Sequence, residues 1–179
     1  MVSGPSQVKP TSVITYDAMH AMISNGIVQN ETAALLTRLL EVGCTFGQLR
    51  TFVTARWEVC SAFASRTVLA QIVCEAREKS WKGDKDKFKC SASEMLFVFP
   101  ILLFFLQTVM VGNGMDDHIA SYAKLGRIMH LVSLGKQSVQ CGTDLQLAIQ
   151  AHGEAFGIAY PDFAWKPKNH YTHHVPRQV

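Results

Sequence analysis

The sequence predicts a mainly α protein, a bundle of about six helices around one apolar helix at 95–111, with little or no sheet. Three observations lead there. Apolar residues recur at three- and four-residue spacing through most of the chain. No segment alternates apolar and polar residues as a half-buried strand does. Glycines and potential capping residues divide the chain into segments of helical length. The 179 residues suit one domain. Apolar residues make up 48%, and charged residues only 17% against roughly 25% in an ordinary globular domain. This excludes a charged disordered tail and a coiled-coil rod. The net charge of +3, from 17 Lys+Arg and 14 Asp+Glu, neither demands nor forbids a nucleic-acid partner.

Residues 1–12, with two prolines, read as an irregular lead-in to a helical domain over 13–158. Helical spacing begins near Tyr16, with Met19, Met22 and Ile23 on one face, and ends near Gly26. Asn30 is a candidate N-cap for a second helix bearing Ala33, Leu36, Leu39 and Leu40, stopped by Gly43. A third stripe starts at Phe46, takes in Leu49, Phe52, Val53, Trp57 and Cys60, and continues through Phe63 towards Val73. Residues 77–90 set six Lys/Arg (from Arg77 to Lys89) against Glu78, Asp84 and Asp86, and read as a basic loop around Gly83. Ser91 and Glu94 then form a capping-box pattern ahead of the most apolar run in the chain. A fifth helix is expected over Asp116–Leu134. A sixth is expected from a Thr143/Gln146 capping box to Gly157, with Leu145, Ala148, Ile149, His152 and Phe156 on its apolar side. Residues 159–179 read as an irregular tail rich in His and Pro.

The run Met95–Val111 is 17 residues long, at the short end of what spans a bilayer. Pro100, Gln107, the capping acid Glu94 and the absence of flanking Trp or Tyr favour a core helix, with a single membrane span as the alternative. A helix apolar on every side needs cover on every side, from the other helices or from a missing part. The five cysteines are widely spaced and form no CxxC pair, the pattern of reduced thiols in an intracellular protein. The opening residues lack the apolar core of a signal peptide.

Three features carry potential chemistry. Asp17 and His20 stand at i, i+3, Glu94 opens the apolar helix, and the tail holds Lys168, His170, His173, His174 and Pro176 in close order. Each has a plain structural reading as cap, helix-end charge or polar loop. Their order along residues 14–179 resembles the C-terminal half of cut-and-paste DDE transposases with a ribonuclease H-like core, the CACTA-type group in particular. That family shows Asp-x-x-His before an α-helical insertion, a helix with the last catalytic Glu, and then an Asn-x-His-x-x-x-His-x-Pro-like segment.

The resemblance implies that Glu94 matches the third catalytic acid, with Asp17, His20, His170 and His174 in support. In the parent family two Mg²⁺ or Mn²⁺ ions, about 3.5–4 Å apart, stabilise the attacking and leaving oxygens. Hard cations of this kind take oxygen ligands, hence carboxylates. The first two family acids belong upstream of Asp17, yet residues 1–16 contain no Asp or Glu. The metal site is therefore incomplete, and the expectation is a transposase-derived chain that is inactive alone and needs no cofactor. It would be nuclear, with DNA contact or self-association through apolar surface as its remaining partners. A membrane location belongs only to the single-span alternative.

Lys79, Lys82, Lys85, Lys87 and Lys89 near Trp81, and Lys166 and Lys168 near Trp165 and Tyr171, suit weak, salt-sensitive phosphate contact with base stacking. The plain reading is a solvated face. A metal module built on His170, His173 and His174 with Asp17 or Glu94 is disfavoured, because Pro167 and Pro176 oppose the helix that would align the imidazoles.

Overall fold

The computed structural model of the protein describes residues 22–23, 26–56, 71–83, 85, 88–134 and 141–163. Among these residues there are six α-helices and no strand: α1 (Ile27–Glu41), α2 (Phe46–Ala55), α3 (Glu75–Gly83), α4 (Ala92–Val109), α5 (Asp116–Leu134) and α6 (Cys141–Ala159). The protein is mainly α, as its periodicity predicts.

Local chemistry explains several helix ends. Ser91 and Glu94 form the expected reciprocal capping box at the start of α4. Thr45 and Gln48 form a second one, which starts α2 at Phe46. Gly43 ends α1 with φ at +81°, a left-handed conformation that costs glycine nothing. Its N–H reaches the Leu40 carbonyl at 3.0 Å and the Cys44 N–H reaches Leu39 at 2.8 Å, the paired bonds of a Schellman end. α5 has the bounds that its apolar pattern predicts.

Other boundaries differ from expectation. Asn30 is not an N-cap: α1 begins at Ile27 after Gly26, and Asn30 lies in its first turn. Thr143 lies inside α6, which begins at Cys141 and runs past the exposed Gly157 to Ala159. The stripe from Phe46 ends with Ala55, and residues 57–70 lie outside the described residues. The supposed basic loop at 77–90 is helical as far as Gly83. Its acids Glu75 and Glu78 fall in the first turn of α3 and Lys82 in the last, both favourable to the helix dipole. Lys82 also pairs with Glu78 at 2.6 Å across one turn. The predicted helix at 16–26 is described only at Met22 and Ile23, both buried.

α4 is central to the packing. Its Phe99 stacks on Tyr122 of α5 with ring centroids 4.5 Å apart, and its Phe105 meets Phe52 of α2 edge-on at 5.0 Å. α5 approaches closely at Gly126, where a β-carbon would lie 3.2 Å from Leu103 Cδ2. α5 and α6 pack along one another more extensively than any other pair. On α2, Phe46 stacks against Trp81 of α3 at 6.2 Å. Among the described residues α4 is covered on one side only. Met95, Val98, Phe99, Ile101, Leu102, Phe105 and Leu106 are buried, whereas Leu96, Pro100, Phe104 and Val109 face solvent.

Candidate functional site

Of the residues singled out from sequence, Glu94, Lys79, Lys82, Lys85 and Lys89 are described. Asp17, His20, Lys87, Lys166, Lys168, His170 and His174 lie outside the described residues. Glu94 is the third residue of α4, and both its carboxylate oxygens are engaged. Oε2 accepts from the Ser91 N–H at 2.6 Å, and Oε1 accepts from Arg77 Nη2 at 2.6 Å. The Glu94 N–H returns a bond to Ser91 Oγ at 3.2 Å. Arg77 donates also to the Lys89 carbonyl. Glu94 thus ties the start of α4 to α3 and to the segment between them. No group of three or more His, Cys, Asp or Glu that could hold a metal ion occurs among the described residues.

Lys79, Lys82, Lys85 and Lys89 are exposed. Part of the local positive charge is matched in place, by Lys82 on Glu78 and by Arg50 near Glu75 at 3.6 Å. Trp81, read from sequence as a stacking partner for bases, is 1% exposed and packs inward on Phe46. Its ring is closed to a nucleic acid.

Two clusters were not foreseen. The first lies in the core, where α1, α5 and α6 meet. Glu31 accepts from Ser121 Oγ at 2.6 Å through Oε1, and its Oε2 lies 2.6 Å from His152 Nε2. Glu31, Ser121 and His152 are all at most 2% exposed. One residue further on, Thr32 Oγ1 is 2.9 Å from the Tyr122 hydroxyl, whose ionisation burial pushes far up. Gln29 donates to the carbonyl of Cys90. The carboxylate stands between serine and imidazole. That is not the order of a nucleophilic triad, in which the imidazole bridges and takes the hydroxyl proton. With no access to solvent, the cluster acts as a polar clamp across three helices.

The second cluster surrounds a surface groove of about 350 Å³ between the end of α1, the start of α5 and the end of α6. Its lining includes Arg38, Val42, Met115, Asp117, His118 and Ile158. Arg38 donates to Glu41 at 2.8 Å and to Asp162 at 3.0 Å, and these two bonds, Glu41 first, raise its basicity. The same guanidinium lies 5.7 Å from the centre of the Phe163 ring. The His118 ring meets Tyr160 edge-on at 5.0 Å. Both His118 nitrogens are buried without a hydrogen-bond partner. Burial, and after it the Arg38 charge, hold His118 below its ordinary value.

Comparison with family models, with curated proteins and with solved structures gives no match for the chain.

The only hint of the core cluster in the sequence is His152 on the apolar side of its helix. The groove left no signal there, because its residues come from three separate parts of the chain.

Proposed function

We propose that the chain is a transposase-derived helical module that acts by association, with DNA or with another chain, and not by metal-dependent strand transfer. The transposase origin rests on the order of short motifs in the sequence. The non-catalytic reading rests on Glu94, whose two oxygens are committed to the Ser91 N–H and to Arg77. The described residues around Glu94 do not fit a two-ion site. A divalent ion on Glu94 would have to displace a charged hydrogen bond and half of a capping box. No cluster of further ligands stands near it among the described residues. No catalytic step through a metal follows for this chain. A nuclear location and weak, sequence-tolerant DNA contact through Lys79, Lys82, Lys85 and Lys89 belong to the same proposal.

The test is a nicking and joining assay on supercoiled DNA with Mg²⁺ or Mn²⁺, run beside a salt series of DNA-binding anisotropy. The expected results are no cleavage and a binding signal that falls steeply with salt. Cleavage that disappears in Glu94→Gln would overturn the reading.

One observation favours a second reading. α4 is 18 residues long with a mean hydropathy of 1.8, and only 39% of it is buried. In that reading α4 anchors the chain in a bilayer, and the chain stays in the membrane pellet after carbonate extraction. A soluble, monodisperse chain counts against it.

A further inference from the structure

The groove at the end of α1 plays no part in the association reading and does not depend on it. We infer that it is a binding site for a small organic cation, an ammonium or guanidinium group carried on a short apolar body.

Its size of about 350 Å³ falls at the lower end of the usual range for small-molecule sites. Its walls are largely apolar. Met115 and Ala159 are buried beneath it, while Val42 and Ile158 leave 44% and 67% of their surfaces open to water. Such surface gains by being covered. The charge around it selects the sign of the ligand. Among the described residues, Glu41 and Asp117 of the lining stand against Arg38, and Asp162 pairs with the same guanidinium beside it. The Arg38 guanidinium is already held by two carboxylates and a ring face, so an anion would have to compete with both carboxylates for it. The side chains of Glu41 and Asp162 are 54% and 78% exposed and remain within reach of a ligand.

His118 lines the groove with its ring, while both its nitrogens are buried beneath the surface without a hydrogen-bond partner. Held below its ordinary value, the imidazole is neutral near pH 7 and adds no repulsion to an incoming cation.

The test is a titration of the full chain, followed by carbon–proton NMR of its methyl groups, with benzylamine, benzyl alcohol and benzoate. These probes share one apolar body and differ in charge. Benzylamine is expected to shift the methyls of Val42, Met115 and Ile158 saturably at millimolar concentration, and benzoate is expected to shift none of them.

 The Ala159 methyl, at the groove floor, is expected to shift with them. Asp117→Asn keeps the side-chain shape and should weaken benzylamine roughly three-fold, the usual scale of an exposed charge contact. Ile158→Ser removes apolar wall at an exposed position and should weaken benzylamine and benzyl alcohol alike. The inference is overturned by a folded spectrum in which benzylamine moves no groove methyl. It is equally overturned if benzoate or benzyl alcohol binds as tightly as benzylamine, or if Asp117→Asn leaves the affinity unchanged.

Discussion

Replacing Glu31 with alanine tests the polar clamp most directly. The substitution removes two 2.6 Å bonds at a site where Glu31, Ser121 and His152 are at most 2% exposed. It takes the acceptor from Ser121 Oγ and from His152 Nε2 where water does not reach. Each buried polar group that loses its bond costs about 1–3 kcal/mol, and breaking a buried pair by deleting one side costs about 3–5 kcal/mol. The expected loss is therefore about 3–5 kcal/mol. At about 2–4 °C per kcal/mol for a chain of this size, Tm should fall by roughly 6–20 °C. Glu31→Gln preserves the shape. Its carbonyl can accept from His152 while its amide donates to Ser121 Oγ, so the cost should be about 1–2 kcal/mol. A triple replacement, Glu31→Leu with Ser121→Ala and His152→Phe, removes all three polar side chains of the cluster together and should come closer to wild type than Glu31→Ala. Urea unfolding followed by circular dichroism measures all three, through the midpoint at constant slope. A loss below about 1 kcal/mol for Glu31→Ala would refute the reasoning, as would equal losses for alanine and glutamine.

Three further outcomes are expected. Pro100 sits inside α4 on its exposed side and donates no N–H to the preceding turn. Pro100→Ala should raise stability by about 1–2 kcal/mol, after allowance for the freer unfolded chain, and an unchanged or lower Tm counts against this. His118 is held below its ordinary value by burial first and Arg38 second. The unfolded chain therefore binds the proton more readily. The stability contribution is fully present above about pH 6.5 and is lost as the pH falls through the folded-state value. His118→Phe keeps a ring against Tyr160 and should flatten that part of the urea-midpoint profile; identical profiles would sink the argument. Burial, with Glu94 next, pushes the Cys90 thiol up to about 12. In the native chain at mildly alkaline pH it should react with iodoacetamide at least roughly ten-fold more slowly than after denaturation, and equal rates, read by peptide mass mapping, would contradict this.

What could be read from the sequence depended on how far apart the interacting residues lie. Ser91 and Glu94 are three positions apart, and their capping box was legible as a short pattern. Gly43 and the bounds of α5 were legible for the same reason, because each depends on a few neighbouring side chains. α3 was missed because only Trp81 of its nine residues is buried, so no apolar stripe marks it among the charges. Glu31 meets partners 90 and 121 positions away, and no local pattern encodes such pairings. At Glu94 the sequence supported two roles at once, a cap from spacing and a catalytic acid from resemblance. The geometry displays the cap and adds Arg77, a partner 17 positions back that spacing alone did not suggest.

The apolar helix poses the sharpest question, because uniform hydropathy conceals which side packs. Its buried side is selected by shape: the gap at Gly126, the Tyr122 ring stacked on Phe99, and Phe52 against Phe105. Tyr122 is in turn tied to Thr32 of α1. Moving α4 into a bilayer would strip these contacts from α5 and α2, whereas an associating module keeps them and offers only the open side. Phe104 separates the two cases. It is 40% exposed, near the middle of the apolar run, and touches Phe52 at a centroid distance of 6.0 Å. In a water-soluble chain Phe104→Glu loses part of one ring contact, about 1 kcal/mol, and should improve solubility. In a membrane span the same carboxylate would sit near the hydrocarbon centre, where an acid costs about 2.5–3.5 kcal/mol, and the chain should leave the carbonate-resistant pellet. Wild-type chain in the soluble fraction, with a folded and more soluble Phe104→Glu variant, is the outcome expected from the association reading. A pelleted wild type released by the substitution would refute it.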